Sequence, residues 1–254
     1  MTPPAEQALE YAREIARVLA TAPGGLEPSA VIVHGSIGFG DYVAGRSDLD
    51  MLIVGEVPAD GVAEVANSIM AVPATAGIEG LECSLVSRED IASLEPARPF
   101  RLHVNLKGET RRMVPGAGHA GDEDLTLHYA VARACGITIC GAPAAEVFPP
   151  QPRALVTRAL LSELQWAAEK AEPCYAVLNA ARAWAFAHES VTLSKLGGWS
   201  WARRHHGPAQ LLDLALADYL APSATTVQWS DLQGDIDRFI DEVSTALRTE
   251  AARP

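Results

Sequence analysis

Three prolines within five residues, Phe148-Pro149-Pro150-Gln151-Pro152, divide the chain into two stretches that do not share one regular layer. Proline fixes φ and removes a backbone donor, so neither a helix nor a strand runs through such a segment. Upstream, short apolar runs alternate with helical ones. Val31-Ile32-Val33 ends at His34-Gly35-Ser36, and Asp50 to Val54 forms a second run closed by Gly55. Gly80 to Val86 reads as a third strand and Ile137-Thr138-Ile139 as a short further one. Between Ala5 and Ala20, Leu9, Ala12, Ile15, Ala16 and Leu19 fall at helical spacing before Gly24-Gly25 ends the run. Further helices fit Ala59 to Val72 and Asp122 to Cys135. This alternation predicts a mixed α/β domain with three or more central strands. Downstream, Ala154 to Lys170, Cys174 to His188 and Pro208 to Tyr219 are rich in Ala and Leu and poor in β-branched residues. The last helix carries Leu232, Ile236, Phe239, Ile240, Val243 and Leu247 as one stripe, with Ser230 as its expected cap. The expected fold is therefore an α/β (α+β) domain with a short mixed sheet over residues 1–150, followed by an all-α helical bundle over residues 151–254.

Composition narrows the function. Of 254 residues, 48% are hydrophobic and 20% charged, which supplies a core and excludes disorder and coiled coil. The net charge of -12 comes from 32 acidic and 20 basic residues, and nearly all of the excess precedes Pro150. Nucleic-acid binding through diffuse charge is disfavoured, because phosphate neutralisation needs clustered Lys and Arg. An acidic cleft suits a cationic ligand or a metal instead. Cys83, Cys135, Cys140 and Cys174 have neither CxxC nor zinc-ligand spacing, and read as small buried hydrophobes in a reducing compartment. The N-terminus lacks the basic start and apolar run of a signal peptide, and no apolar stretch is long enough to cross a bilayer, so a cytoplasmic location is expected.

The chemistry concentrates between Gly35 and Asp50. A strand that ends at Gly35-Ser36 and turns into a helix presents backbone N–H groups to an anion, and glycine lets a phosphate come close. Asp48 and Asp50 alternate along the next strand, so both carboxylates point to one face. Two such carboxylates repel unless a cation lies between them, and hard oxygen ligands beside phosphate oxygens fit Mg²⁺. A phosphate cradle facing a carboxylate pair is suited to metal-assisted phosphoryl transfer. On the third strand, Leu81, Cys83 and Leu85 share one face and Glu82 takes the other, where it can bind a metal or take a proton. Each piece alone has an ordinary reading as a turn, a loop or an exposed side chain. Their conjunction, strand, Gly-Ser, helix, then Ser-Asp-x-Asp opening an apolar strand, is what carries the inference.

Gly35-Ser36 followed by Ser47-Asp48-Leu49-Asp50 resembles the signature of the DNA polymerase β-like nucleotidyltransferase superfamily. More of the chain resembles the aminoglycoside adenylyltransferases that inactivate streptomycin and spectinomycin: Leu81 to Val86, Asp122-Glu123-Asp124-Leu125, Gly141 to Phe148, Val177 to Trp184, Ser194-Lys195 and Trp201-Ala202. The resemblance is patchy but colinear over roughly residues 30–205. It implies a nucleotidyltransferase domain followed by a helical substrate-binding domain, with ATP and two Mg²⁺ ions as cofactors. Gly35, Ser36 and Ser47 would meet the ATP phosphates, and Asp48 and Asp50 would hold the metals. Glu82 would be the general base and join the metal site, and Arg182 and Lys195 would reach the triphosphate. Glu172 and Trp166 would face a small cationic aminoglycoside or aminocyclitol acceptor, to which AMP would pass with release of pyrophosphate.

The departures are specific. Leu106-Lys107 stands where streptomycin-modifying members carry an aromatic residue, and Ala168 replaces an acidic one, so streptomycin itself does not follow. Two rivals stay open: transfer to another acceptor (a natural-product intermediate, a protein or a tRNA), and a non-catalytic nucleotide-binding or antitoxin-like module. A site built within one chain needs no partner subunit, so a monomer is expected.

Overall fold

Six strands make one mixed sheet in the first of the two units into which the chain divides, Met1–Pro150 and Gln151–Pro254. The structure is a computed structural model that describes residues 2–24, 26–74, 78–221 and 227–251. The strands are β1 (Glu27–Val33), β2 (Leu49–Glu56), β3 (Gly80–Val86), β4 (Leu102–Lys107), β5 (Thr110–Pro115) and β6 (Ile137–Gly141), in the order β5-β4-β3-β2-β1-β6. β2 and β3 run parallel; the other neighbours are antiparallel. A parallel pair needs a crossover, and helix α3 (Val62–Ala71) provides it.

The period-2 alternation of the strands divides the core in two. On one face Val31, Val33, Leu49, Met51, Ile53 and Leu85 pack with α1 (Pro3–Leu19), whose stripe Ala8, Leu9, Ala12, Ile15 and Leu19 is buried, and with α3. On the other face Ile32, Leu52, Val54 and Val86 meet Leu125, Tyr129 and Ala132 of α5 (Leu125–Cys135) and Phe148. Asp50 and Glu82, out of phase with the first set, therefore lie on the α5 face. Three short helices, α2 (Gly35–Phe39), α4 (Arg88–Ala92) and α6 (Ala144–Val147), complete the unit.

The second unit is helical: α7 (Arg153–Lys170), α8 (Pro173–Glu189), α9 (Lys195–Arg204), α10 (Ala209–Leu220) and α11 (Gln233–Ala251). α8 is its centre, packed against the other four, and is buried nearly all round. Among the described residues no helix is long and apolar enough to cross a membrane.

Several sequence expectations change. The hairpin β4–β5 adds two strands to those the pattern predicts, because β5 is an edge strand whose Thr110, Arg111, Arg112 and Met113 are exposed and show no apolar alternation. Cys140 is exposed on β6 and Cys135 half-buried; only Cys83 and Cys174 behave as core residues. Ser230 does not cap the last helix. It lies in a 3-10 turn (Trp229–Leu232) that Trp229 Nε1 fastens to Asp218 at 3.1 Å, and the α-helix starts at Gln233. Gly25, half of the glycine pair expected to end α1, lies outside the described residues.

Two helical glycines differ in what surrounds them. A Cβ at Gly198 would come within 2.5 Å of the Arg182 backbone nitrogen, so α9 approaches α8 along a path that only glycine leaves open. A Cβ at Gly234 would meet nothing within 4 Å. Gly198→Ala should lower stability by about 1–3 kcal/mol through overpacking. Gly234→Ala should raise it by up to about 1 kcal/mol, by restricting the unfolded chain. Urea unfolding followed by far-UV circular dichroism checks both signs.

Candidate active site

β1 leaves the sheet at His34, whose N–H donates to the Asp50 carbonyl at 3.0 Å. The next residue turns the chain over the Asp50 side chain. Gly35 has φ +64°, and a Cβ there would sit 1.8 Å from Asp50 Oδ2. Only glycine tolerates both the left-handed backbone and that approach. Ser36 follows at the start of α2, and its Oγ is buried with no hydrogen-bond partner among the described residues. The chain returns through Ser47, whose Oγ accepts from Val43 N–H at 3.0 Å while Ser47 N–H donates to the Val43 carbonyl at 2.8 Å. This closed loop sets Asp48. Asp48 Oδ1 is buried without a hydrogen-bond partner among the described residues, and Oδ2 lies 3.3 Å from Lys107 Nζ. Gly80 stands between β2 and β4, and a Cβ there would come within 2.8 Å of Asp48 Oδ1.

The strand register then aligns one polar row. His34 bonds beside Asp50, Asp50 pairs with Glu82, Glu82 with Asn105, and Asn105 with Arg112. Helix α5 lays two more groups over it. His128 Nε2 is 2.9 Å from Asp124 Oδ2 and 3.7 Å from Glu82 Oε1. Asp124 is held at the head of α5 by its own N–H donating to Asp122 Oδ1 at 2.9 Å. Asp122 is in turn bridged through its backbone to Arg98, at 2.8 and 2.9 Å.

Burial dominates the electrostatics. It pushes the Glu82 carboxyl up to about 7, against the downward pull of His128 and with an upward push from Asp50. Burial alone would lower the His128 imidazole, but Asp124, by charge and hydrogen bond, and then Glu82 and Asp50 carry it up to about 10. His34, fully buried against His128 with ring centroids 5.0 Å apart, is pushed well below its ordinary value, first by burial and then by the His128 charge. A carboxylate poised near neutrality is suited to taking a proton. Glu82, Asp124 and His128 also each place a ligand atom within 4.8 Å of the others, close enough to share a cation. The unpartnered oxygens of Ser36 and Asp48, with Gly35 leaving room above Asp50, form a hard-oxygen set that fits a magnesium–nucleotide complex.

The helical unit holds the remaining sequence-selected residues. Arg182 Nε donates to Asn179 Oδ1, and Asn179 Nδ2 donates to Glu163 Oε1 at 3.1 Å, which also accepts from Tyr175 OH at 2.9 Å. Lys195, the first residue of α9 after the capping Ser194, lies over the Tyr175 ring at 4.4 Å and near that of Tyr219 at 5.8 Å. Trp166 is 50% exposed and edge-on to Tyr175, so it is not a core tryptophan. Glu172 precedes α8 and is 3.9 Å from the Cys174 thiol. Arg203, part of a basic run near the end of α9, is paired with Asp213 at 2.9 Å.

Sequence reasoning missed His128, Asp124, Asn105 and Glu163 as site residues. One signal was present: Asp124 and His128 are four apart on a helix and so share a face. Their proximity to Glu82 is tertiary.

No curated protein matches the chain. Residues 146–246 match the family model "Aminoglycoside adenylyltransferase, C-terminal domain". Among solved structures, the chain is similar to the spectinomycin adenyltransferase AAD(9) from Enterococcus faecialis, crystallised with ATP and spectinomycin. That likeness has a TM-score of 0.67 at 15% identity and covers 96% of this chain and 98% of that one. Over residues 146–246 the chain is thus similar to the C-terminal domain of that family, and as a whole it shares the fold of the AAD(9) structure.

Proposed function

We propose that this protein transfers AMP from ATP to a hydroxyl of an aminoglycoside or aminocyclitol and releases pyrophosphate. The observation that carries the reading is the in-register pairing of Asp50 with Glu82, set under a glycine turn that leads to a buried, unpartnered serine hydroxyl. A module that only bound nucleotide would have no use for a third carboxylate poised near neutrality beside the first two.

In this reading Ser36 and Ser47 meet the nucleotide phosphates. Asp48 and Asp50 are the residues that would hold Mg²⁺, with Glu82 beside them, and the bound ions would offset the charge of the phosphates. Glu82 takes the proton of the acceptor hydroxyl as that oxygen attacks the α-phosphorus. The bond from the α-phosphorus to the bridging oxygen breaks, and pyrophosphate leaves with that oxygen. Arg182 and Lys195 are assigned to the phosphates, and Glu172 and Trp166 to the acceptor. The support within the helical unit is that Arg182 is oriented by Asn179, Lys195 sits over Tyr175, and Trp166 offers an open aromatic surface.

A second acceptor class is favoured by one observation. Lys107 puts a positive charge 3.3 Å from Asp48, which suits a neutral or anionic acceptor better than a polycationic one.

Pyrophosphate release from ATP·Mg²⁺, measured against a panel of aminoglycosides, aminocyclitols and neutral polyols with mass spectrometry of the products, decides between them. A drug gaining the mass of AMP is the expected result. Release only with other hydroxyl compounds selects the second reading, and no release with any of them removes both. Glu82→Gln should slow transfer about 10²–10⁴-fold, the usual worth of a general base. Asp50→Asn should abolish transfer, with each variant keeping its melting temperature within a few degrees. Ser36→Ala should raise the KM for ATP and leave that for the acceptor unchanged.

A further inference from the structure

Glu82 does not sit alone. His128 reaches it from α5 at 3.7 Å, and Asp124 holds that same imidazole nitrogen at 2.9 Å. His34 closes the other side with its ring edge-on to that of His128. Both His34 nitrogens are buried without a hydrogen-bond partner among the described residues, so this contact confines His128 by packing rather than by a competing bond. The side chain of His128 is only 15% exposed.

We propose that His128, anchored by Asp124, is a positioning residue that fixes the carboxylate of Glu82 for proton transfer. The inference rests on the reading of Glu82 as the general base. Its physical content is that a carboxylate on a strand keeps several rotamers open, and base catalysis needs one of them. The hydrogen bond to Asp124 fixes the ring, and Glu82, at 3.7 Å from the same nitrogen, is held by the ring's position and charge rather than by a hydrogen bond. The Asp124 side of the clamp is itself fixed, through Asp122 and its backbone bridge to Arg98.

The test uses the full chain with His128→Leu, His128→Gln and Asp124→Asn. His128→Leu should lower kcat about 10²-fold, the scale of a misplaced reacting group, and leave the KM for ATP unchanged. His128→Gln, which keeps an N–H donor, should recover part of that loss, and Asp124→Asn should fall between. In a Glu82→Gln background the same changes should have no further effect, because His128 then has no base to position. Crystal structures of wild type and His128→Leu should show the Glu82 carboxylate displaced in the variant. The inference is overturned if kcat survives His128→Leu, if the losses multiply in the double variant, or if Glu82 keeps its place without His128. A stoichiometric transition-metal ion on the purified protein, lost in His128→Gln, would also overturn it, since the three groups would then be ligands. If the wild type transfers no AMP yet Glu82 moves in the variant, the positioning stands and the functional reading fails.

Discussion

The site depends on a repulsion that the fold enforces. Parallel pairing of β2 with β3 puts Asp50 directly beside Glu82, and partial burial on the α5 face weakens their screening by water. Two neighbouring carboxylates in that setting are unfavourable unless positive charge or a hydrogen-bond donor lies between them. The surrounding structure answers that demand twice: His128 stands over Glu82, and Lys107 reaches Asp48 past a glycine at position 80. A chain with no need of concentrated negative charge would have no reason to carry this arrangement.

Glycines make the crowding possible. At Gly35 a methyl group would collide with the Asp50 carboxylate, and at Gly80 it would crowd Asp48. Both positions therefore admit side-chain oxygens where other residues would place carbon. The same logic appears in the helical unit at Gly198, where α9 comes against α8 beside Arg182 and so sets Lys195 one turn away. In each unit the polar residues of interest lie where a missing Cβ lets two elements approach.

Local chemistry made much of this legible beforehand. The strand that ends in Gly-Ser and the Asp-x-Asp that opens the next are short-range patterns, and their meaning depends only on strand periodicity and turn sterics. The two-unit division was legible because prolines exclude regular structure. β5 was not, because an exposed edge strand bearing Arg111 and Arg112 has no apolar alternation to read. The cap of α11 was misplaced because a 3-10 turn held by a Trp229–Asp218 hydrogen bond has no local sequence signature.

By itself the sequence singled out Ser36, Asp48, Asp50 and Glu82 as candidates for chemistry and put Asp50 and Glu82 on strands, whereas Asp48, expected on the same strand face as Asp50, precedes β2, which begins at Leu49. Residue type and a period of two are local properties, so no fold is needed to read them. Only the tertiary structure decided which groups meet. Asp50 and Glu82 become neighbours through the β2–β3 register. His128 and Asp124 reach them from a helix more than forty residues further along the chain, and Lys107 from an antiparallel strand. Those contacts follow from packing a helix onto a sheet face, and long-range packing leaves no trace in the local pattern from which a sequence is read.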